Sequence, residues 1–370
     1  MKKVLVTGSR GFIGKNLVQA LSRRDDIEVS RFDSGDDISS LSELLREAEI
    51  IYHLAGVNRP QEVEDFEKGN TDLTRTIVST LRDLNRKPAI VLSSSTQALF
   101  DNPYGISKKK AEDALIEYHR ETDAPVFIYR LTNVFGKWCK PNYNSVVATF
   151  CYNVSHDLDI VISDPEKEMQ LIYIDDVIAS FMDVIDGGIS SEPFFYDVSP
   201  VYNITLADLA DRIYAFRDVR RTLIVPDFSD DFDLQLYATY LSYLEKDDFS
   251  YQLEMKADER GTLTELIKSN QFGQIFVSAT RKGIIRGNHY HDSKIEKFIV
   301  VKGEAIIRFR NVLNDEVISY QVSGNIIEIV DIPPGYTHSI ENISDDEMIV
   351  LFWADQIFDQ DAPDTYFEEV

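Results

Sequence analysis

The chain predicts a doubly wound parallel α/β domain followed by an all-β barrel of the jelly-roll kind. Three observations carry that reading. Short β-branched runs alternate with helical stretches up to about Leu241, and three glycines close the first of those runs. From about Tyr251 helical periodicity gives way to short alternating strands separated by turn residues.

Lys3–Thr7 is a β-branched run ending at glycine, as in a buried parallel strand. Phe12–Ser22 follows, with apolar residues at helical spacing (Phe12, Ile13, Leu17, Val18, Leu21). Further strand-like runs fall at Glu28–Phe32, Ile50–Leu54, Ala89–Leu92 and Val126–Tyr129, with helical segments between them. The polar, acidic stretch Ser242–Ser250 is the natural boundary, so residues 1–243 form one predicted domain and residues 250–370 the other. In the second, Gln274–Ala279, Ile295–Val301, Glu304–Arg310 and Met348–Trp353 read as strands.

Composition narrows the class. At 370 residues the chain exceeds the roughly 250–300 at which single cores stop growing. Hydrophobic content of 44% and charged content of 27% describe a globular protein. A net charge of −25 argues against nucleic acid, and an anionic substrate would need local donors. The apolar run Val4–Val6 stops at Thr7, far short of a secretory core, and no stretch reaches the roughly 18–20 residues of a spanning helix. Cys139 and Cys151 make no disulfide framework. The expectation is a cytoplasmic enzyme.

Gly8, Gly11 and Gly14 follow the first strand and open the first helix, where backbone amides can approach a pyrophosphate and the helix terminus favours an anion. Their spacing, G-x2-G-x2-G, departs from the commoner G-x-G-x2-G. Asp33, at the end of the second strand, is placed to meet an adenosine ribose. Later come HLAG (His53–Gly56), Asn70, SSST (Ser93–Thr96), YGISK (Tyr104–Lys108), RLTNVFG (Arg130–Gly136) and YIDDV (Tyr173–Val177). Together these resemble the extended short-chain dehydrogenase/reductase family, with its Rossmann-type fold, over roughly Met1–Leu241.

The resemblance implies that Tyr104 exchanges a proton with the substrate and that Lys108 lowers its pKa, since an ordinary tyrosine titrates near ~10. It implies that Ser95 orients the substrate carbonyl, with Thr96 the fallback, and that Asn133 touches substrate. The nicotinamide cofactor would be held by Gly8, Arg10, Gly11, Gly14, Arg31, Asp33, Leu54, Ala55, Gly56 and Asn70, together with Tyr104 and Lys108. Asp33 suits a free ribose hydroxyl, whereas Arg10 and Arg31 suit a 2′-phosphate; two arginines favour NADPH, with NADH the alternative. Sugar 4,6-dehydratases of this family carry an Asp-Glu pair after the catalytic hydroxyl. Here Thr96 and Gln97 stand in those places, which favours reduction of a ketone over dehydration. Lys137 and Lys140 are candidates for a diphosphate, and Cys139 reads as an ordinary thiol.

Residues Gly283–Gly303 fit the pattern G-x5-H-x-H-x4-E-x6-G, and Pro333–Asn342 fits P-x-G-x2-H-x3-N. Residues two apart on a strand share a face, so His289 and His291 point together; Glu296 follows a turn and His338 can close the cluster. Three imidazoles and a carboxylate suit zinc, or iron, manganese or nickel, and zinc is the expectation. These two motifs resemble those of the cupin family, implying a jelly-roll barrel. RGNHYH (Arg286–His291) is also similar to RGLHYQ of the metal-free keto-sugar 3,5-epimerases, in which the histidine aligned with His289 is the base. His291 replaces their glutamine, which favours a metal. The base would then come from elsewhere, with Tyr290, Lys294 and Lys302 as candidates.

A proton beside a ketone is acidic, whereas the same proton beside an alcohol is not. An epimerising barrel must therefore act before a ketone-reducing domain. The pairing resembles bifunctional enzymes of capsular polysaccharide precursor synthesis. It implies epimerisation at carbon 3 of a UDP-2-acetamido-2,6-dideoxy-4-keto-hexose, then reduction at carbon 4, on a route to UDP-N-acetyl-L-fucosamine. Both domain types commonly self-associate, so a homodimer is expected. The rival readings are a single-activity reductase or 4-epimerase with a dimerising or sugar-binding barrel, and a non-catalytic nicotinamide sensor.

Overall fold

Val4, Leu5 and Val6 have almost no exposed surface, so the first strand is apolar on both faces and needs helices on each side. A computed structural model of the chain, describing residues 1–59, 62–188 and 194–370, has that arrangement. Six parallel strands lie in the order Ile27–Phe32, Lys2–Thr7, Ile50–His53, Ala89–Ser95, Val126–Leu131 and Phe195–Tyr196. One face packs on helices Phe12–Leu21 and Ile174–Ile185, burying Leu17, Leu21, Val177 and Phe181. The other packs on Ile38–Glu47, Leu73–Asp83 and Pro103–Thr122, burying Leu45, Ile77, Leu81 and Leu115. Strand order reverses between Lys2–Thr7 and Ile50–His53, and a doubly wound sheet opens a crevice at the carboxyl ends of such strands. A second, three-stranded sheet joins Asn133–Phe135, Glu168–Tyr173 and Tyr202–Thr205.

The later region is antiparallel. One sheet runs Met255–Asp258, Gly261–Ser269, Gly273–Thr280, Met348–Ala354, Glu296–Lys302 and Val330–Ile332. The other runs Val317–Ser323, Glu304–Asn311, Tyr336–Asn342, Ile285–Tyr290 and Tyr366–Phe367. Phe298, Val300 and Phe352 from the first meet Ala305, Ile307 and Ile340 from the second in one apolar core. This is the predicted pairing of a Rossmann-type sheet with a jelly-roll barrel.

The chain divides into two compact units, Met1–Ile213 with Gln235–Leu244, and Tyr214–Leu234 with Glu245–Val370. The crossing at Leu244–Glu245 lies within the acidic stretch Ser242–Ser250. The other two fall within helices Leu206–Thr222 and Asp231–Leu241, so residues 214–234 cluster with the second unit rather than the first. Among the described residues no helix is long and apolar enough to cross a membrane.

Candidate active sites

In the first unit the chain leaves the strand Lys2–Thr7 through Gly8 at a φ of +72°, where a side chain is strained. A Cβ there would also stand 2.6 Å from the Ala55 nitrogen, so only glycine lets the two loops meet. Asn102 caps the helix Pro103–Thr122 by accepting from the Gly105 N–H at 2.9 Å, with proline at its start. That start places Tyr104 in the first turn and Lys108 one turn later on the same face.

A cleft of about 680 Å³ runs between these parts. Its wall includes Gly8, Arg10, Gly11, Gly14, Leu54, Gly56, Ser95, Thr96, Tyr104, Lys108 and Asn133, together with Trp138, Lys140, Tyr143 and Asn144. Arg31, Asp33, Ala55 and Asn70 do not line it. Asn70 instead braces the wall, accepting from the Val57 N–H at 2.9 Å and donating to Ser107 Oγ at 2.9 Å. Asp33 is buried and accepts from Ser9 Oγ at 2.5 Å and from the Arg10 N–H at 2.9 Å, which ties the glycine loop to the second strand. Arg10 is 74% exposed along its side chain, while Arg31 is exposed on its strand. Lys137 pairs with Asp175 at 2.5 Å and is absent from the wall, whereas Lys140 is part of it.

Burial raises the Tyr104 phenol, and contact with the Ser95 hydroxyl offsets part of that rise. The Lys108 ammonium lies 5.9 Å from the centre of the Tyr104 ring and donates to the Ser93 carbonyl at 3.1 Å. Burial pushes Lys108 down to about 8, opposed by the Glu112 carboxylate. Ser95, Tyr104 and Lys108 thus share one wall: a neutral phenol, a hydroxyl beside it and a cation behind it. Burial pushes the Cys139 thiol up, which keeps it unreactive.

Two features had no counterpart in the sequence reading. His53 of HLAG is fully buried, its ring nitrogens 2.8 Å from Thr7 Oγ1 and 2.9 Å from Thr74 Oγ1; burial lowers it to about 3, so it is a neutral spacer. Glu112, 0% exposed, receives both arms of Arg130 (2.9 and 2.6 Å) and Ser94 Oγ at 2.6 Å. The pair is 18 residues apart in sequence, and no periodicity links it.

In the second unit His289 sits directly opposite His338 on neighbouring antiparallel strands. Gly287, at a φ of +95°, starts a bulge there, and a Cβ on it would meet the His338 carbonyl at 2.6 Å. His291 lies just past the strand end rather than on it, and Glu296 opens a strand of the facing sheet. Ligand atoms of His289, His291, Glu296 and His338 all fall within 4.8 Å of one another. Nε2 of His291 and of His338 are buried with no hydrogen-bond partner; His291 Nε2 is 3.3 Å from Glu296 Oε2 but misaligned for a bond. Burial, reinforced by His289, lowers His338 to about 4, and burial with His291 lowers His289 too. Burial alone would raise Glu296, but His291, His338 and Lys294 together hold it below its ordinary value. Bare imidazole lone pairs beside a carboxylate, converging on one point, fit a divalent cation.

Of the candidate bases, Lys302 ends the strand that Glu296 begins, roughly 20 Å away at 3.3 Å per residue. Tyr290 stacks on Tyr366 with ring centres 5.2 Å apart. Lys294 is buried and near enough to bias both His289 and Glu296.

Residues 4–194 match the NAD dependent epimerase/dehydratase family, and residues 256–366 match the polysaccharide biosynthesis C-terminal domain. The chain is 44% identical over 364 residues to UDP-2-acetamido-2,6-beta-L-arabino-hexul-4-ose reductase of Pseudomonas aeruginosa, covering 98% of each. It is similar to the capsular polysaccharide assembling protein CapF of Staphylococcus aureus, at 45% identity and a TM-score of 0.93, covering 99% of this chain and 100% of that one. The Bordetella bronchiseptica enzyme WbmF, solved with NAD+, shares the fold of the first unit alone, at 22% identity and a TM-score of 0.52 over 58% of this chain and 78% of that one.

Proposed function

The chain belongs to the NAD dependent epimerase/dehydratase family, and from that premise we propose a bifunctional nucleotide-sugar enzyme of capsular polysaccharide precursor synthesis. The second unit epimerises carbon 3 of a UDP-2-acetamido-2,6-dideoxy-4-keto-hexose, and the first then reduces the ketone at carbon 4. The product lies on the route to UDP-N-acetyl-L-fucosamine. The carrying observation is that one chain holds both the Ser95–Tyr104–Lys108 wall and four converging metal-ligand atoms. The named reductase activity of the Pseudomonas relative supports the second step.

In the reductive step Ser95 holds the carbonyl oxygen while the Tyr104 hydroxyl gives it a proton. Lys108 steadies the phenolate left behind, and Asn133 and Lys140 face the substrate from the cleft wall. NADPH held in this cleft would supply the hydride to carbon 4. The Arg10 guanidinium, 3.8 Å from the Asp33 and Asp36 carboxylates and 74% exposed along its side chain, is the candidate partner for a 2′-phosphate.

In the epimerising step, His289, His291, Glu296 and His338 would hold a zinc ion, which would supply Lewis acidity at the substrate carbonyl. Lys294 or Tyr290 takes the carbon 3 proton, and a proton drawn from solvent and delivered to the opposite face completes the inversion. The expectation of a homodimer rests on the two family resemblances.

The test is incubation with the 4-keto UDP-sugar in deuterated water without nicotinamide. Deuterium at carbon 3 is expected from the zinc-loaded protein and not from His291→Ala. Should the zinc-loaded protein add no label yet oxidise NADPH with the keto sugar, the chain is a reductase with a non-catalytic second unit.

A further inference from the structure

His291 stands one residue beyond the end of the strand Ile285–Tyr290, so the sheet ladder that orients His289 and His338 does not hold it. Its carbonyl accepts from the Gly335 N–H at 2.8 Å, while its ring is held by the last residues of the chain. The Asp364 carbonyl lies 2.6 Å from His291 Nδ1. A carbonyl only accepts, so Nδ1 carries the proton and Nε2 is left as a bare lone pair, the nitrogen that is buried without a hydrogen-bond partner.

The same residue grips the loop that follows. Its carboxylate accepts from the N–H groups of Asp292, Ser293 and Lys294 at 2.9, 3.0 and 2.8 Å, and from Ser293 Oγ at 2.9 Å. Its backbone sits at a φ of +40°, in the left-handed region that aspartate enters more readily than most side chains. Neighbouring residues are sewn down as well. Lys294 Nζ donates to Thr365 Oγ1 at 3.2 Å, and Tyr366–Phe367 pairs as a short strand with His289–Tyr290.

We infer that Asp364 is a positioning residue for a divalent cation in the second unit, presetting the His291 tautomer and fixing the 291–294 loop so that Nε2 faces the other ligands. This rests on the metal reading above. Nothing about it requires Asp364 to touch the cation or the substrate: a backbone carbonyl and a carboxylate act on the ligand through its far nitrogen and its loop.

The experiment uses the full chain as wild type, Asp364→Ala and Asp364→Asn, stripped of metal and titrated with zinc against a chromogenic chelator. Wild type is expected to take up one zinc per chain. Asp364→Ala keeps the backbone carbonyl but removes the carboxylate that pins the 292–294 loop and holds that carbonyl in place, and should bind roughly 10- to 100-fold more weakly. Asp364→Asn should fall between, because its amide keeps one acceptor oxygen; it carries the comparison should the alanine variant not fold. Cobalt-loaded variants are expected to show altered visible absorption bands relative to cobalt-loaded wild type. A purely structural strap would lower the melting temperature of the metal-free protein and leave both zinc affinity and the cobalt spectrum at wild-type values, which overturns the inference alone. A wild-type chain that takes up no zinc overturns the metal reading itself.

Discussion

Replacing Lys108 with methionine should abolish reduction and yet make the cofactor-free protein more stable. The ammonium is buried and lowered from 10.5 to about 8, chiefly by burial, with Glu112 opposing. That difference, 10.5 minus about 8, corresponds to about 3 kcal/mol of penalty on the charged form at roughly 1.36 kcal/mol per unit. Methionine fills a similar volume without the charge but loses the hydrogen bond to the Ser93 carbonyl, worth about 1 kcal/mol. A net gain of about 2 kcal/mol at pH 7 follows from those two figures. The sign has a pH signature. Between pH 8 and 10.5 the unfolded chain binds the lysine proton and the folded one does not, so wild-type stability rises with pH across that window. The penalty is complete below it. Urea unfolding of both cofactor-free proteins, followed by far-UV circular dichroism, should therefore show the variant ahead at pH 7 and its advantage gone near pH 10.5. A variant less stable than wild type at pH 7, or a difference that ignores pH, would refute the reasoning. Reduction should fall at least ~100-fold.

Two further outcomes follow from buried groups beside the same cleft. Arg130→Met strands the fully buried Glu112 carboxylate and should cost about 3 kcal/mol in urea unfolding, most of which returns in the Arg130→Met/Glu112→Leu double variant. His53 stays neutral to about pH 3 in the fold, whereas the unfolded imidazole charges below 6.5. Its contribution is thus present above pH 6.5 and lost on acidification, by about 2 kcal/mol at pH 5. A His53→Gln variant should lack that part of the acid dependence in paired unfolding curves.

Much was legible in the order of residues because it depends on local spacing. The runs Lys3–Thr7, Ala89–Leu92 and Met348–Trp353 read as strands because β-branched and apolar residues cluster between turn formers, and strands Lys2–Thr7, Ala89–Ser95 and Met348–Ala354 contain them. Tyr104 and Lys108 read as a pair because four residues is one helical turn. His289, His291, Glu296 and His338 read as a set from their motif spacing, and the two facing sheets with the loop after Tyr290 bring their ligand atoms within 4.8 Å.

What the linear order left open depends on contacts between distant residues. The placement of residues 214–234 with the second unit is decided by packing, not by the acidic boundary stretch. Arg31 and Lys137 looked available for phosphates, but Lys137 is paired with Asp175 and Arg31 stands outside the cleft wall. Asp364 lies 73 residues from the histidine it holds. A hydrogen bond leaves no periodic trace along the chain, so only the folded backbone, which brings both ends of that interval to one loop, could reveal it.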